Sequence, residues 1–224
     1  MKTLLFDIDG TLIVTNETGT RALEAVLRRD FGVKCPSMDV KFGGRTDRSL
    51  LKEVLLLNNI CPSDENFAIF TEAYRTQLPA TLHECGGVVL PGVVELLMRL
   101  KERDDLRCCV MTGNLKATAT QKLSHFRLLN YFDDIFGGDF DADRRHLARR
   151  TALFLRGTHE YHATDGTIVI GDTPADIVCG LDIDARVMAV CTGHFDRQTL
   201  EIAGAHVVHQ DLSEVDVVYR WLTK

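Results

Sequence analysis

The chain opens on an apolar run, Leu4-Leu5-Phe6, broken by carboxylates at Asp7 and Asp9 and closed by a Gly10-Thr11 turn. A short apolar run ending in a turn is the pattern of a buried strand. Downstream the period changes. Between 16 and 31, Ala22, Ala25 and Val26 fall at helical spacing, and Gly32 stops the run. A glycine-bearing loop from Lys41 to Asp47 leads into a second helix through Leu57, with Thr46 or Asp47 as its cap. Pro62-Ser63 opens a third helix that runs to about Leu82. No convincing strand lies between 14 and 88.

After Gly86-Gly87, helical and strand-like runs alternate. A helix from Pro91 to Arg103 precedes a strand from Leu106 to Met111, and a helix to Phe126 precedes a short strand at Asp134–Phe136. Next come a helix over Arg144–Leu155, a strand over Thr167–Ile170, a helix to Leu181 and a strand over Arg186–Val190. A short helix near Gln198, a strand near Val207 and a helix near Trp221 finish the chain. Alternation of this kind predicts a parallel sheet covered on both faces, and the first strand must join it because it has no other partner. The predicted architecture is α/β: a Rossmann-like core from residues 1–14 and 88–224, with an all-helical cap inserted over 15–87.

Composition narrows the function. A hydrophobic fraction of 45% in 224 residues is enough for a sizeable core. The net charge of -6 argues against a nucleic-acid partner, while leaving room for a locally positive site that takes an anion. No apolar run approaches the ~18 residues that span a bilayer, so no membrane association is expected. The chain enters its first strand at once, which predicts no signal peptide. Seven cysteines without metal-like spacing predict reduced thiols and a cytoplasmic location. Cys108-Cys109 lies in an apolar run and reads as core, and His159-x-x-His162 has no third ligand beside it.

The chemistry gathers at predicted strand ends. Residues i and i+2 of a strand share a face, so Asp7 and Asp9 project together from the C-terminal end of the first strand. That edge is where open α/β sheets bind ligands. Two close carboxylates repel unless they share a proton or a cation, and a hard divalent ion such as Mg2+ suits oxygen ligands. Thr112-Gly113-Asn114 ends the second core strand and offers backbone amides at a helix N-terminus, a favoured anion site. Asp172 ends another strand, and Asp176 follows at i+4, where both carboxylates can face one site.

Asp7-Ile8-Asp9-Gly10-Thr11, Thr112 and Gly171-Asp172-Thr173-Pro174 with Asp176 resemble the motifs of the haloacid dehalogenase-like (HAD) hydrolase superfamily, over essentially the full chain. The second Asp of the first motif points to its phosphatases, and a helical insertion after that motif is similar to the caps of its phosphoglycolate phosphatase-like and β-phosphoglucomutase-like members. The resemblance implies Asp7 as nucleophile, Asp9 as general acid and then base, and Thr112 as a phosphoryl-oxygen ligand beside Gly113 and Asn114. It also implies Mg2+ held by Asp7, the Asp9 carbonyl and Asp172, with Asp176 in support. The implied substrate is a small phosphorylated metabolite.

One motif departs from the pattern. The family usually supplies a Lys, often Lys-Pro, from the helix after the third strand. This chain has Asp141-Ala142-Asp143-Arg144-Arg145-His146 there. Arg144 is the first candidate for the missing cation, and Lys122 the second, provided its helix turns it inward. In the cap, Gly43-Gly44-Arg45-Thr46-Asp47 is the substrate-facing candidate, with Arg45 placed to meet an anionic leaving group. Val14-Thr15-Asn16 and Cys85-Gly86-Gly87 read as hinges for the cap. The main expectation is a Mg2+-dependent phosphatase acting through an aspartyl-phosphate. A phosphosugar mutase and a catalytically idle binding protein are the alternatives. A dehalogenase is disfavoured by Asp9, and a phosphonatase by the lack of a cap Lys with a reason for a depressed pKa.

Overall fold

The computed structural model describes residues 1–157 and 166–224, so the His159–His162 pair lies outside the described residues. The strands are β1 (Lys2–Phe6), β2 (Ile13–Thr15), β3 (Gly87–Val89), β4 (Leu106–Met111), β5 (Asp134–Phe136), β6 (Thr167–Gly171), β7 (Arg186–Val190) and β8 (Val207–His209). The helices are α1 (Thr18–Asp30), α2 (Asp47–Leu57), α3 (Asp64–Cys85), α4 (Val93–Lys101), α5 (Lys116–His125), α6 (Arg144–Gly157), α7 (Pro174–Asp182), α8 (Arg197–Ile202) and α9 (Val215–Thr223).

The main sheet has the order β5-β4-β1-β6-β7-β8, and each neighbouring pair is parallel. Alternate residues serve opposite faces, as the pleat requires. Leu4, Phe6, Cys108, Val110, Ile168 and Ile170 pack under α4, α5 and α9. Leu5, Cys109, Met111 and Val169 pack under α6 and α7. Both faces are therefore buried, which explains why these strands read as continuous apolar runs rather than alternating ones. Cys108 and Cys109 point to opposite faces of the core. β1 lies between β4 and β6, where the strand order reverses, so its C-terminal end opens the crevice that such sheets use for ligands.

The segment between β2 and β3 carries α1, α2 and α3, which enclose their own apolar cluster around Leu23, Leu51, Val54, Phe70 and Leu78. Leu115, at the start of α5, joins that cluster from beside the main sheet. The two connections into the segment differ from open linkers. β2 and β3 pair as an antiparallel ribbon, and Asn16 Nδ2 donates to the Cys85 carbonyl at 3.0 Å. A two-stranded ribbon has no neighbours to share its pattern, which is why each half reads as loop in the sequence. α1 starts at Thr18 rather than Asn16, because Glu17 takes a left-handed conformation (φ 55°). Local capping sets the other starts. Thr46 accepts from Ser49 N to begin α2, and Ser63 accepts from Asn66 N to begin α3. Thr173 and Asp176 form a reciprocal capping box at α7, with Pro174 at its first turn.

Candidate active site

A cavity of about 460 Å3 lies between the C-terminal ends of β1, β4 and β6 and the helical segment, and Asp7, Asp9, Thr112, Lys122, Arg144 and Asp172 line it. β1 delivers Asp7 and Asp9 to its floor. The turn after β1 bends on Gly10 (φ 82°), whose position leaves no room for a side chain: a Cβ there would lie 2.3 Å from Asp172 Oδ2. Thr11 Oγ1 donates to Asp172 Oδ1 at 3.0 Å and ties the two strand ends together.

Asp7, Asp172 and Asp176 are buried and bring ligand oxygens within 4.8 Å of one another. Arg144, equally buried, reaches into this group from the first turn of α6. It lies 3.4 Å from Asp7 and forms a close ion pair with Asp176. Desolvation raises the Asp7 carboxyl to about 6; Arg144 pulls it down and Asp176 pushes it up. Desolvation, then Asp176 and Asp7, raises Asp172 to about 8. Burial works against the charge on Arg144, but Asp176 and Asp7 outweigh it and hold the guanidinium protonated.

Three carboxylates with one guanidinium leave an excess of negative charge in a desolvated place, and Asp7 Oδ1 is buried without a hydrogen bond. An all-oxygen donor set with an orphaned carboxylate oxygen fits a hard divalent cation. Asp7 and Asp172 have oxygens to offer it. Asp176 belongs to the same oxygen cluster, as a supporting role requires, with its Oδ1 taken by Arg144 and its Oδ2 accepting from Thr173 N at 3.0 Å and Thr173 Oγ1 at 2.7 Å. Its carboxylate anchors the cation and the helix cap.

Lys122 does turn inward and is buried, but it faces a different carboxylate. Its Nζ donates to Asp9 Oδ1 and Oδ2 at 2.8 and 2.7 Å and to Asn114 Oδ1 at 2.8 Å, so all its protons are used. Asn114 Nδ2 donates to Asp9 Oδ2 at 2.7 Å and to Thr112 Oγ1 at 2.8 Å. Asn114 thus acts through its side chain, and its backbone amide already donates to Thr112 Oγ1 at 3.3 Å. That amide is not free for a phosphoryl oxygen. The Thr112 hydroxyl accepts these bonds and keeps its own proton to give. Gly113 packs so closely under the 43–47 loop that a Cβ would sit 1.9 Å from the Arg45 carbonyl oxygen. Arg45 lines the cavity but pairs with Glu53 at 2.5 Å.

The sequence profile of the haloacid dehalogenase-like hydrolase family matches residues 4–190. The chain belongs to this family. Phosphoglycolate phosphatase of Aquifex aeolicus is 27% identical over 187 residues, covering 80% of each chain. A predicted phosphatase from Clostridium acetobutylicum superposes with a TM-score of 0.70 at 25% identity, covering 99% of this chain and 97% of that one. A predicted phosphoglycolate phosphatase from Haemophilus somnus has the same fold, with a TM-score of 0.73 at 17% identity over 97% of both chains. Membership makes the chain a haloacid dehalogenase-like hydrolase, similar in sequence to a phosphoglycolate phosphatase and in fold to several solved members of the family.

The HAD fold also brings to the cavity residues that the sequence did not single out for chemistry. Thr192, Gly193 and His194 line it from the loop after β7. Thr192 Oγ1 donates to the Gly10 carbonyl, and a Cβ on Gly193 would lie 1.8 Å from Asp172 Oδ2. An apolar strand ending in Cys-Thr-Gly-His was the available signal. Thr18, Asp47 and Tyr74 line the opposite wall. In the sequence Asp47 stood as a possible helix cap at the end of the substrate-facing 43–47 loop, with no role of its own. In the fold it docks on the start of α5, where Leu115 N donates to its Oδ2 at 2.9 Å.

Proposed function

We propose that this protein is a Mg2+-dependent phosphatase that hydrolyses a small phosphate monoester through an aspartyl-phosphate, in the manner of the phosphoglycolate phosphatases it is similar to. The observation that carries the reading is the pairing of Asp7 and Asp9 on one cavity floor with separate cations, Arg144 at Asp7 and Lys122 at Asp9. Two carboxylates held in different surroundings can take different roles. Asp7 is the nucleophile. Its carboxylate oxygen forms a bond to phosphorus as the bond from phosphorus to the leaving oxygen breaks. Asp9, which takes up a proton from solvent as the substrate enters, hands it to that oxygen, the alcohol departs, and the Asp9 carboxylate is left paired with Lys122. Asp9 then takes a proton from water as the water oxygen attacks the aspartyl-phosphate, which frees inorganic phosphate and restores Asp7.

The other residues make this possible by position and charge. Arg144 keeps Asp7 ionised against the cost of its burial. Thr112 donates its hydroxyl proton to a phosphoryl oxygen. Lys122 and Asn114 fix the Asp9 carboxylate and act as positioning residues. Asp7, the Asp9 carbonyl and Asp172 would hold Mg2+, which supplies positive charge against the phosphoryl oxygens. The segment over 15–87 serves as the cap, and its 43–47 loop closes the cavity: Asp47 N donates to the Gly113 carbonyl at 2.7 Å, and Thr46 Oγ1 to the Asp141 carbonyl at 2.8 Å. Closure over the floor excludes water from the first transfer.

The test is phosphate release from a panel of monoesters, with and without Mg2+, by the wild type and by Asp7→Asn. Release that requires Mg2+ and is lost in the variant is the expected result. Release that persists in Asp7→Asn would remove the aspartyl-phosphate route.

A further inference from the structure

The cap wall of the cavity bears on the leaving group. Each Lys and Arg side chain that lines the cavity is already paired: Arg45 with Glu53, Lys122 with Asp9, and Arg144 with Asp7 and Asp176. The cap side adds carboxylates instead, Glu17 and Asp47. Asp47 makes no direct ion pair among the described residues. Its Oδ2 accepts from Leu115 N and lies 3.5 Å from Thr118 Oγ1, while its Oδ1 makes no hydrogen bond. Lys122, whose charge is felt at Asp47, has spent its protons on Asp9 and Asn114. Burial pushes the Asp47 carboxyl up to about 6. A carboxylate desolvated in this way is a cost to the fold, and it asks for a hydrogen-bond donor.

Two hydroxyls share the wall. Thr18, at the start of α1, is fully buried, and its Oγ1 has no hydrogen-bond partner. Tyr74, from α3, is 3% exposed, lines the same cavity and makes no side-chain hydrogen bond among the described residues. Buried polar groups without partners in a protein are rare; Thr18 Oγ1 is one, on a cavity wall it shares with Asp47 and Tyr74, and such a wall is short of a ligand. An anionic leaving group would meet the Asp47 carboxylate, while every Lys and Arg on the lining is already paired; Glu17, 77% exposed and 3.7 Å from Arg21, adds little, and His194 on the far side is the one further lining residue able to carry positive charge. A second phosphate would meet the same wall.

We propose that Asp47, Thr18 and Tyr74 form a subsite for a neutral, hydroxyl-bearing leaving group, so that the substrate is a polyol or sugar phosphate rather than a phosphorylated carboxylic acid. This rests on the phosphatase reading above. Asp47 Oδ1 accepts from a leaving-group hydroxyl, and Thr18 and Tyr74 give or take the remaining bonds. The cavity, at about 460 Å3, has more room than a two-carbon leaving group fills. Sites that pair buried polar groups with substrate hydroxyls discriminate strongly against analogues that leave them unpaired.

The test separates binding from turnover. Asp7→Asn with Mg2+ is titrated calorimetrically with sorbitol 6-phosphate, 2-phosphoglycolate and phosphoethanolamine. The polyol ester is expected to bind at least ~10-fold more tightly than phosphoglycolate, a margin of about 1.4 kcal/mol. Adding Asp47→Asn, which removes the negative charge, should cut that ratio several-fold. Adding Thr18→Val should weaken the polyol ester alone, and Thr18→Ser should restore it. Equal or tighter binding of phosphoglycolate would overturn the subsite, and so would preference for phosphoethanolamine, since the wall would then be reading a cation. Hydrolysis of p-nitrophenyl phosphate by the wild type reads the chemistry separately. Mg2+-dependent turnover with a preference for phosphoglycolate sinks the subsite only. A polyol preference in binding without any turnover sinks the phosphatase and leaves the subsite standing.

Discussion

Replacing Arg144 with Met removes the only Lys or Arg that the described residues place against Asp7, Asp172 and Asp176, each 5% exposed or less. Breaking a buried pair by deleting one partner costs about 3–5 kcal/mol, because the surviving charge stays desolvated. For a chain of this length a kcal/mol moves the melting temperature by about 2–4 °C, so Arg144→Met should melt roughly 10 °C below the wild type. The loss depends on pH in a defined direction. Burial already holds Asp7 at about 6 and Asp172 at about 8, above their ordinary value of 3.8. Groups raised in this way favour the fold below their unfolded pKa and penalise it as pH climbs through the folded value. Without the guanidinium both rise further, so the deficit against the wild type should be larger at pH 8.5 than at pH 5. Saturating Mg2+ should shrink it by supplying the missing charge. Arg144→Lys keeps the charge on a shorter reach and should recover most of the stability. Calorimetric melts at the two pH values, with and without Mg2+, read all of this. In phosphate release, Arg144→Met should lose at least about a hundredfold in kcat, or roughly 2.7 kcal/mol of transition-state stabilisation. Equal melting temperatures for Arg144→Met and the wild type at pH 8.5 without Mg2+ would refute the assignment of this residue as the charge that balances the cluster.

Lys122→Met should behave differently, since Asp9 is 41% exposed and water can replace the lost partner: kcat should fall about 10- to 100-fold in steady-state assays while the melting temperature drops by only a few degrees. Gly193→Ala would drive a Cβ into Asp172 Oδ2, 1.8 Å away, and should raise the Mg2+ concentration for half-maximal activity at least ~10-fold, as outer-shell changes at metal sites do. Asp47 has a folded-state pKa of about 6 against an ordinary 3.8, so its burial penalty is absent below pH 4 and grows as pH rises through 6. Asp47→Asn should therefore melt above the wild type at pH 8 and level with it near pH 4, and a variant that melts lower at pH 8 would show that the charged carboxylate holds the loop in place.

The parts of the site that were legible in the sequence are those whose position follows from one strand and one turn. Asp7 and Asp9 share a face by the pleat alone, and Thr112 and Asp172 end strands whose apolar runs are unmistakable. The parallel sheet followed from the alternation after residue 88, because two buried faces leave no polar alternation to confuse the period. The β2–β3 ribbon was invisible for the converse reason, since its partners lie more than 70 residues apart and each is three residues long. The cations show the limit most clearly. Arg144 and Lys122 are both helix residues beside polar neighbours, and composition gives no reason to prefer either. Their roles divide only when α6 and α5 approach the sheet from opposite faces. One guanidinium then meets Asp7 and Asp176, and one ammonium meets Asp9. The sequence poses a choice between two substitutes for a single missing Lys, and the fold uses both, at different carboxylates. Asp47 follows the same logic. The substrate-facing loop and a possible cap were all the chain offered for it, yet Thr46 does the capping of α2, and the Asp47 carboxylate is left to bridge the loop to α5 with an oxygen to spare for the cavity. Chemistry carried by the backbone pattern can be read from the chain, whereas chemistry that depends on which side chains meet between elements distant in sequence has to wait for the packing.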